Sequence, residues 1–270
     1  MKNLLSWNII KRFSGMDKDC FTYQDVLSEF SEVNNLYLSK VLSVMVAKGM
    51  LIKLKRNLYY IVPSDADPAT YIPDWHLVAR HLMKGKDYYI GYYSAMQIHG
   101  LTTQPGLTEI IVTNLQVKPS SKMIRGVKFQ YVYHIKTRFF GFKDIWINQY
   151  EKVSVSDLEK TLVDALTRPH LCGGMIEAGK AFYEAREKID HQKLFEYFHQ
   201  NDNKAAIKRY LFLIELFGLA WSEHHEKILK EGGSGFPLLD TTGPDEGRKA
   251  SRFGLKINID PETIRNAIHT

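Results

Sequence analysis

One stretch of this chain, residues 34–62, leaves little choice of local structure. It reads NNLYLSKVLSVMVAKG and then MLIKLKRNLYYIV. Leu38, Val41, Leu42 and Met45 recur at i, i+3, i+4 and i+7, which is one buried stripe on a helix. Gly49 falls where such a helix needs a left-handed residue to end. Two β-rich runs, 50–54 and 58–62, flank Lys55, Arg56 and Asn57, and Asn tolerates the positive φ of a tight turn. The spacing therefore predicts a helix over 34–48 with a hairpin directly behind it. Between residues 34 and 60 stand Lys40, Lys48, Lys53, Lys55 and Arg56, with no Asp or Glu. A helix followed by an acid-free basic hairpin implies a surface for a polyanion, and for double-stranded DNA above all.

The preceding residues complete a small domain around this segment. Leu4, Leu5, Ile9 and Ile10 give a first helix its apolar face, ending near Ser14 and Gly15. Thr22 and Asp25 read as a capping box, with Asp for Glu, opening a second helix over 23–30 with Val26, Leu27 and Phe30 inward. Asn34 or Asn35 caps the third. Three helices and a hairpin are the plan of the winged helix-turn-helix, whose third helix enters the major groove. Asn34, Asn35, Tyr37, Ser39, Lys40 and Ser43 avoid the apolar stripe and are the candidates for base edges, since Asn pairs bidentately with adenine. Lys53, Lys55 and Arg56, with Asn57 at the turn, are candidates for phosphate or minor-groove contact, which positions without specifying.

Charge follows the same division. The chain's net charge is +6, and residues 1–62 carry nine Lys/Arg against five Asp/Glu, so +4 of that total falls in under a quarter of its 270 residues. The segment 63–68, PSDADP, combines turn residues with few apolar side chains and suggests a boundary. The expected organisation is a winged helix-turn-helix over 1–63 and a larger domain over 64–270, in an α+β chain whose C-terminal domain is mixed α/β with a helical second half. Helices are expected over 74–83, 93–99, 156–166, 177–188, 191–199, 204–217 and 221–230, and strands over 108–113, 128–134, 144–147 and 253–259. Ser156 and Glu159 fit a second capping box. Residues 232–248 hold five of the 18 glycines and two prolines and are expected to form a loop.

Several chemistries find no support in the pattern. No apolar run approaches the ~18 residues needed to span a bilayer, and the N-terminus lacks a signal peptide's apolar core, so no membrane partner is expected. Cys20 and Cys172 show no metal-type spacing and read as reduced thiols of a cytoplasmic protein. His224, His225 and Glu226 lack the HExxH spacing, and residues 232–235 lack the Lys-Ser/Thr of a phosphate-binding loop. Asp157, Glu159, Lys160 and Asp164 could suggest a metal-dependent nuclease, but Glu159 and Lys160 are adjacent rather than alternating, and capping of a helix N-terminus accounts for Asp157 and Glu159. The paired aromatics, such as Tyr88-Tyr89 and Tyr92-Tyr93, are ordinary core and strand composition. The expectation is a chain that is not an enzyme and uses no cofactor or metal. A nucleic-acid-processing enzyme delivered by the winged helix is the alternative, and a winged helix turned to protein contacts is a third.

Four segments together resemble the AbiEi family, the antitoxin and transcriptional regulator of AbiE-type (type IV) toxin–antitoxin systems. They are KGMLIKLKRNLYYIV at 48–62, YIGYYSAMQIHGLTTQ at 89–104, VSVSDLEKTLVDALTRPHLCGG at 153–174, and LLDTTGPDEGRKASRFGLKINI near the C-terminus. They occur in the family's order and are spread along most of the chain, from residue 48 to residue 259. The resemblance implies an N-terminal winged helix that binds operator repeats and represses its own operon. It also implies a C-terminal domain that counters a partner nucleotidyltransferase toxin, directly or indirectly. At the wing tip the family commonly has R-R-G-x-Y, where this chain has Lys55-Arg56-Asn57-Leu58-Tyr59. Asn supports the same positive φ at higher cost than glycine.

Overall fold

The computed structural model describes residues 2–16, 18–230 and 233–269, and shows an α+β protein of two compact units, Met1–Gly85 and Lys86–Thr270. The first unit runs α1 (Lys2–Ser14), β1 (Cys20–Thr22), α2 (Tyr23–Glu29), α3 (Asn35–Ala47), β2 (Leu51–Lys55), β3 (Leu58–Ile61) and α4 (Trp75–Leu82). Its three strands pair antiparallel in the order β1-β3-β2. The sequence boundary at residue 63 thus moves to Gly85. Val62 stays buried, the Tyr71 and Tyr60 rings stack, and α4 packs on β2, which draws 64–85 into this unit.

The local chemistry explains these elements. Thr22 and Asp25 form the reciprocal capping box that opens α2: Asp25 N donates to Thr22 Oγ1 and Thr22 N donates to Asp25 Oδ2. Asn34 caps α3, its Oδ1 accepting from Leu36 N and Tyr37 N. Leu38, Val41, Leu42 and Met45 are all buried, in one core with Ile9, Phe13, Phe21, Val26, Leu51 and Ile61. Phe13 and Phe21 stack with centroids 4.4 Å apart. Leu4, expected on the buried face of α1, is 67% exposed, because Ile9 and Phe13 take that face. Gly49 ends α3 at φ +73, and a Cβ there would stand 2.5 Å from Cβ of Pro68. Asn57 takes φ 61 at the hairpin turn, and the ladder shifts register between Lys53 and Lys55.

The second unit holds a six-stranded mixed sheet in the order β6-β7-β5-β4-β9-β8. Its strands are β4 (Tyr89–Ile90), β5 (Thr108–Thr113), β6 (Ser121–Ile124), β7 (Val127–Tyr133), β8 (Phe142–Trp146) and β9 (Lys152–Ser156). The pairs β5/β7 and β4/β9 are parallel and the remainder antiparallel. The helices are α5 (Tyr92–Ile98), α6 (Leu158–Thr167), α7 (Gly174–Ala185), α8 (His191–Asn201), α9 (Lys204–Leu216) and α10 (Glu223–Lys230). They share a core with the sheet in which Tyr89, Val112, Leu162, Phe182 and Tyr210 are all but sealed from solvent. A short ladder of β10 (Arg248–Ala250) and β11 (Leu255–Ile257) follows, and α11 (Pro261–Ala267) packs on α7, where Gly179 leaves room for Ile264. The expected loop at 232–248 begins at Gly232, outside the described residues. Its described part is fastened by Arg209, whose guanidinium donates to Leu166 O and Leu238 O at 2.7 Å and to Leu239 O at 2.9 Å.

The capping box expected at Ser156 and Glu159 does not form. Asp157 is the N-cap of α6, accepting from Lys160 N at 2.9 Å. Ser156 is held in β9, its hydroxyl on Thr161 Oγ1 at 2.7 Å, while Glu159 turns away to accept from Asp190 N. A charged cap one residue later outcompetes the serine.

Candidate nucleic-acid interface

The face that α3 turns to solvent is fixed by the stripe it buries. With Leu38, Val41, Leu42 and Met45 inward, Asn35, Leu36, Ser39, Lys40 and Ser43 are exposed and Tyr37 is half-buried. Leu36, Ser39, Lys40 and Ser43 follow one another at i, i+3, i+4 and i+7, so they share one row. Asn34 differs from the sequence expectation. Its side-chain oxygen is occupied by the cap, which leaves only its amide N–H groups to face a ligand. The Ser43 hydroxyl donates back to Ser39 O at 2.9 Å and can still accept.

The hairpin carries Lys53, Lys55, Arg56 and Asn57 exposed. Lys53 and Arg56 project from β2 and the turn. Lys55 differs again, since its Nζ donates to the main-chain oxygen of Leu82 at 2.8 Å, at the end of α4. The sequence treats Lys55 and Arg56 as equivalent, and the fold does not.

Tyr23 ties the helix and the hairpin together, a role that no local pattern signals. Its main-chain N–H donates to Asn57 O at 2.9 Å, and its hydroxyl donates to Asn35 O at 2.9 Å. One residue at the start of α2 therefore fixes the turn of the hairpin and the first turn of α3 together. Arg12 pairs with Glu29 at 2.6 Å, so not every cation of the N-terminal segment is left for this face. Leu36 is the other residue that pattern reading passed over, although its place two residues before Leu38 puts an apolar group on the polar side.

The acidic and basic residues of α6, weighed as a nuclease centre, separate into two structural clusters. Asp157 and Glu159 both meet Lys193, at 3.0 and 2.8 Å, and Tyr197 OH donates to Asp157 Oδ2 at 2.9 Å. Burial opposes the charge of Glu159, yet the bonds from Lys193 and Asp190 N hold its carboxyl below the usual range. Lys160 and Asp164, one turn apart on α6, pair in the core with no exposed side-chain surface. Tyr89 OH donates to Asp164 Oδ2 at 3.0 Å, and Lys160 Nζ lies 4.7 Å from the Phe140 ring centroid. Among the described residues, no group of three or more His, Cys, Asp and Glu is arranged to hold a metal ion. Cys20 and Cys172 are free thiols, and burial pushes Cys20 up to about 12.

Together these observations define an α+β protein with a small basic unit of four helices and a three-stranded antiparallel sheet, followed by a larger unit built on a six-stranded sheet. No family model and no curated protein matches the chain. Among solved structures it is similar to the RV2827C protein from Mycobacterium tuberculosis, with a TM-score of 0.70 over 97% of this chain and 94% of that one, at 13% sequence identity. At that identity the likeness is one of fold. Among the described residues, no helix is long and apolar enough to cross a membrane.

Proposed function

We propose that the chain is a sequence-specific DNA-binding repressor whose first unit is a winged helix-turn-helix, with α3 as recognition helix and the β2–β3 hairpin as wing. The observation that carries the reading is the bridge by Tyr23, which holds an acid-free basic hairpin and a solvent-facing polar helix in one fixed arrangement. The element order α1-β1-α2-α3-β2-β3 and the strand order β1-β3-β2 support it. In this reading α3 enters the major groove with Asn35, Ser39 and Lys40 toward base edges, while Lys53 and Arg56 meet the adjacent backbone. The resemblance of four segments to AbiEi proteins supports an operon autoregulator in the cytoplasm that acts as antitoxin to a nucleotidyltransferase toxin, with the second unit carrying that role.

Selection of duplexes from a random-sequence library by the full chain, followed by a salt titration of the enriched duplex, tests the reading. The expected result is one enriched motif whose binding weakens steeply with salt. Equal binding to all duplexes, or none at low salt, rejects it. Lys193 and the buried pair of α6 favour a scaffolding role for the acidic residues over the nuclease alternative. Metal-dependent cleavage of DNA or RNA lost on Asp157→Asn would reverse that preference.

A further inference from the structure

We infer that Leu36 reads thymine, its side chain meeting a C5-methyl group in the major groove beside the base edge that Asn35 faces. The inference rests on the DNA-binding reading above and adds to it a residue and a base.

Leu36 is 75% exposed, more than any other large apolar side chain described in the first unit. A single exposed leucine needs no explanation by itself. Its position makes it informative. It is the second residue of α3, in the N-terminal turn, where a recognition helix approaches base edges most closely. That turn is doubly fixed, by the Asn34 cap on Leu36 N and by Tyr23 OH on Asn35 O, so the side chain is presented by rigid backbone.

The surroundings limit what it can meet. On its own helix Leu36 has Ser39 and Lys40 beside it at i+3 and i+4, and it is not among the residues lining the groove between α1 and α3 (Ser6, Tyr37, Lys40, Val41 and Val44). The other exposed apolar side chains of these helices, Leu4, Trp7 and Val44, lie on α1 or on the flank of α3 toward it. A single apolar group followed along its helix row by Ser39, Lys40 and Ser43 gives a protein partner little apolar area. The floor of a major groove offers one apolar group, the thymine methyl. Asn35 next to it is suited to adenine, so the two residues together favour A·T pairs at adjoining positions of one half-site.

Replacing thymine by deoxyuridine removes that methyl and nothing else from the groove. In the duplex selected by the full chain, each dT is changed in turn to dU, and wild type is compared with Leu36→Ala. Wild type is expected to lose about fourfold in affinity at one or two thymines, the worth of one buried methyl. Leu36→Ala is expected to bind dT and dU duplexes equally. A wild type indifferent to dU at every position, while still selecting its motif, overturns the Leu36 inference and leaves DNA binding intact. A Leu36→Ala protein that keeps the full dT preference overturns it too. Failure to select any motif rejects the DNA-binding reading and this inference with it.

Discussion

The Lys55 ammonium donates to the carbonyl of Leu82 at 2.8 Å, so a cation of the hairpin is spent on the C-terminal end of α4. Cations favour that end of a helix because its last carbonyls carry partial negative charge, with an effect of about 0.3–1 kcal/mol. Arg56, its neighbour at the turn, is exposed and shows no such bond to α4. The two should therefore separate on mutation. Lys55→Ala is expected to lower stability by about 1 kcal/mol with little change in the salt dependence of DNA binding. Lys53→Ala and Arg56→Ala should leave stability alone and each reduce the salt slope by about one contact. Urea denaturation beside a salt titration measures both, and equal slopes for Lys55→Ala and Arg56→Ala would reject the distinction.

Asn34 and Asn35 are adjacent and chemically identical, yet their roles divide. Asn34 Oδ1 accepts two amide protons at the start of α3, whereas the Asn35 side chain is exposed. Asn34→Ala should cost about 1 kcal/mol of stability, and Asn34→Asp should recover most of it. Asn35→Ala should leave stability unchanged and relax base preference at one position of the selected motif. A selection repeated with each variant reads this directly. A motif unchanged by Asn35→Ala would remove Asn35 from the recognition face.

The helices and the hairpin of the first unit were legible because their signals are local. The stripe of Leu38, Val41, Leu42 and Met45, the Thr22–Asp25 box, and Gly49 and Asn57 at positive φ each act within a few residues. What escaped reading depends on distant partners. The strand β1 is three residues that exist because Cys20, Phe21 and Thr22 pair with β3. Likewise β4 has two residues, held between β5 and β9. Such short pieces carry no period of their own. At the site, the polar face of α3 followed from the buried stripe, but the engagement of Lys55 by Leu82 and the bridge made by Tyr23 need the folded chain.

Lys160 and Asp164 test whether the polar residues of α6 are architecture. Their pair is sealed from solvent, with Tyr89 OH on the second carboxylate oxygen. Removing one partner of a buried pair strands the other charge, at a cost of about 3–5 kcal/mol. Asp164→Asn is expected to fall in that range by urea denaturation of the full chain. The double change Lys160→Met with Asp164→Leu should recover much of the loss, since an apolar pair of similar volume replaces both charges. A loss from Asp164→Asn of under about 1 kcal/mol would show that the carboxylate is not buried beside a charged lysine.

His134 gives the second unit a dependence on acid. Its Nε2 lies 2.7 Å from Tyr92 OH, and its Nδ1 lies 3.2 Å from both Tyr89 OH and Arg138 O. A neutral ring satisfies both sides, with Nδ1–H donating to the Arg138 carbonyl and Nε2 accepting from Tyr92. Burial lowers its pKa to about 4 from the ordinary 6.5, with Asp164 favouring the charge and Lys160 and Arg168 opposing it. The unfolded chain therefore takes up this proton near pH 6.5 and the folded chain only near pH 4. Its contribution is fully present above about pH 6.5 and declines toward pH 4, amounting to roughly 3 kcal/mol at most. His81, lowered to about 4 by burial and by Arg80, acts in the same direction in the first unit, so the two must be separated by mutation. His134→Gln is expected to be less stable at pH 7 but to lose less on going from pH 7 to pH 5 than wild type does. Urea midpoints at pH 7, 6 and 5 measure the difference, and parallel losses in the two proteins would mean that His134 does not titrate across folding.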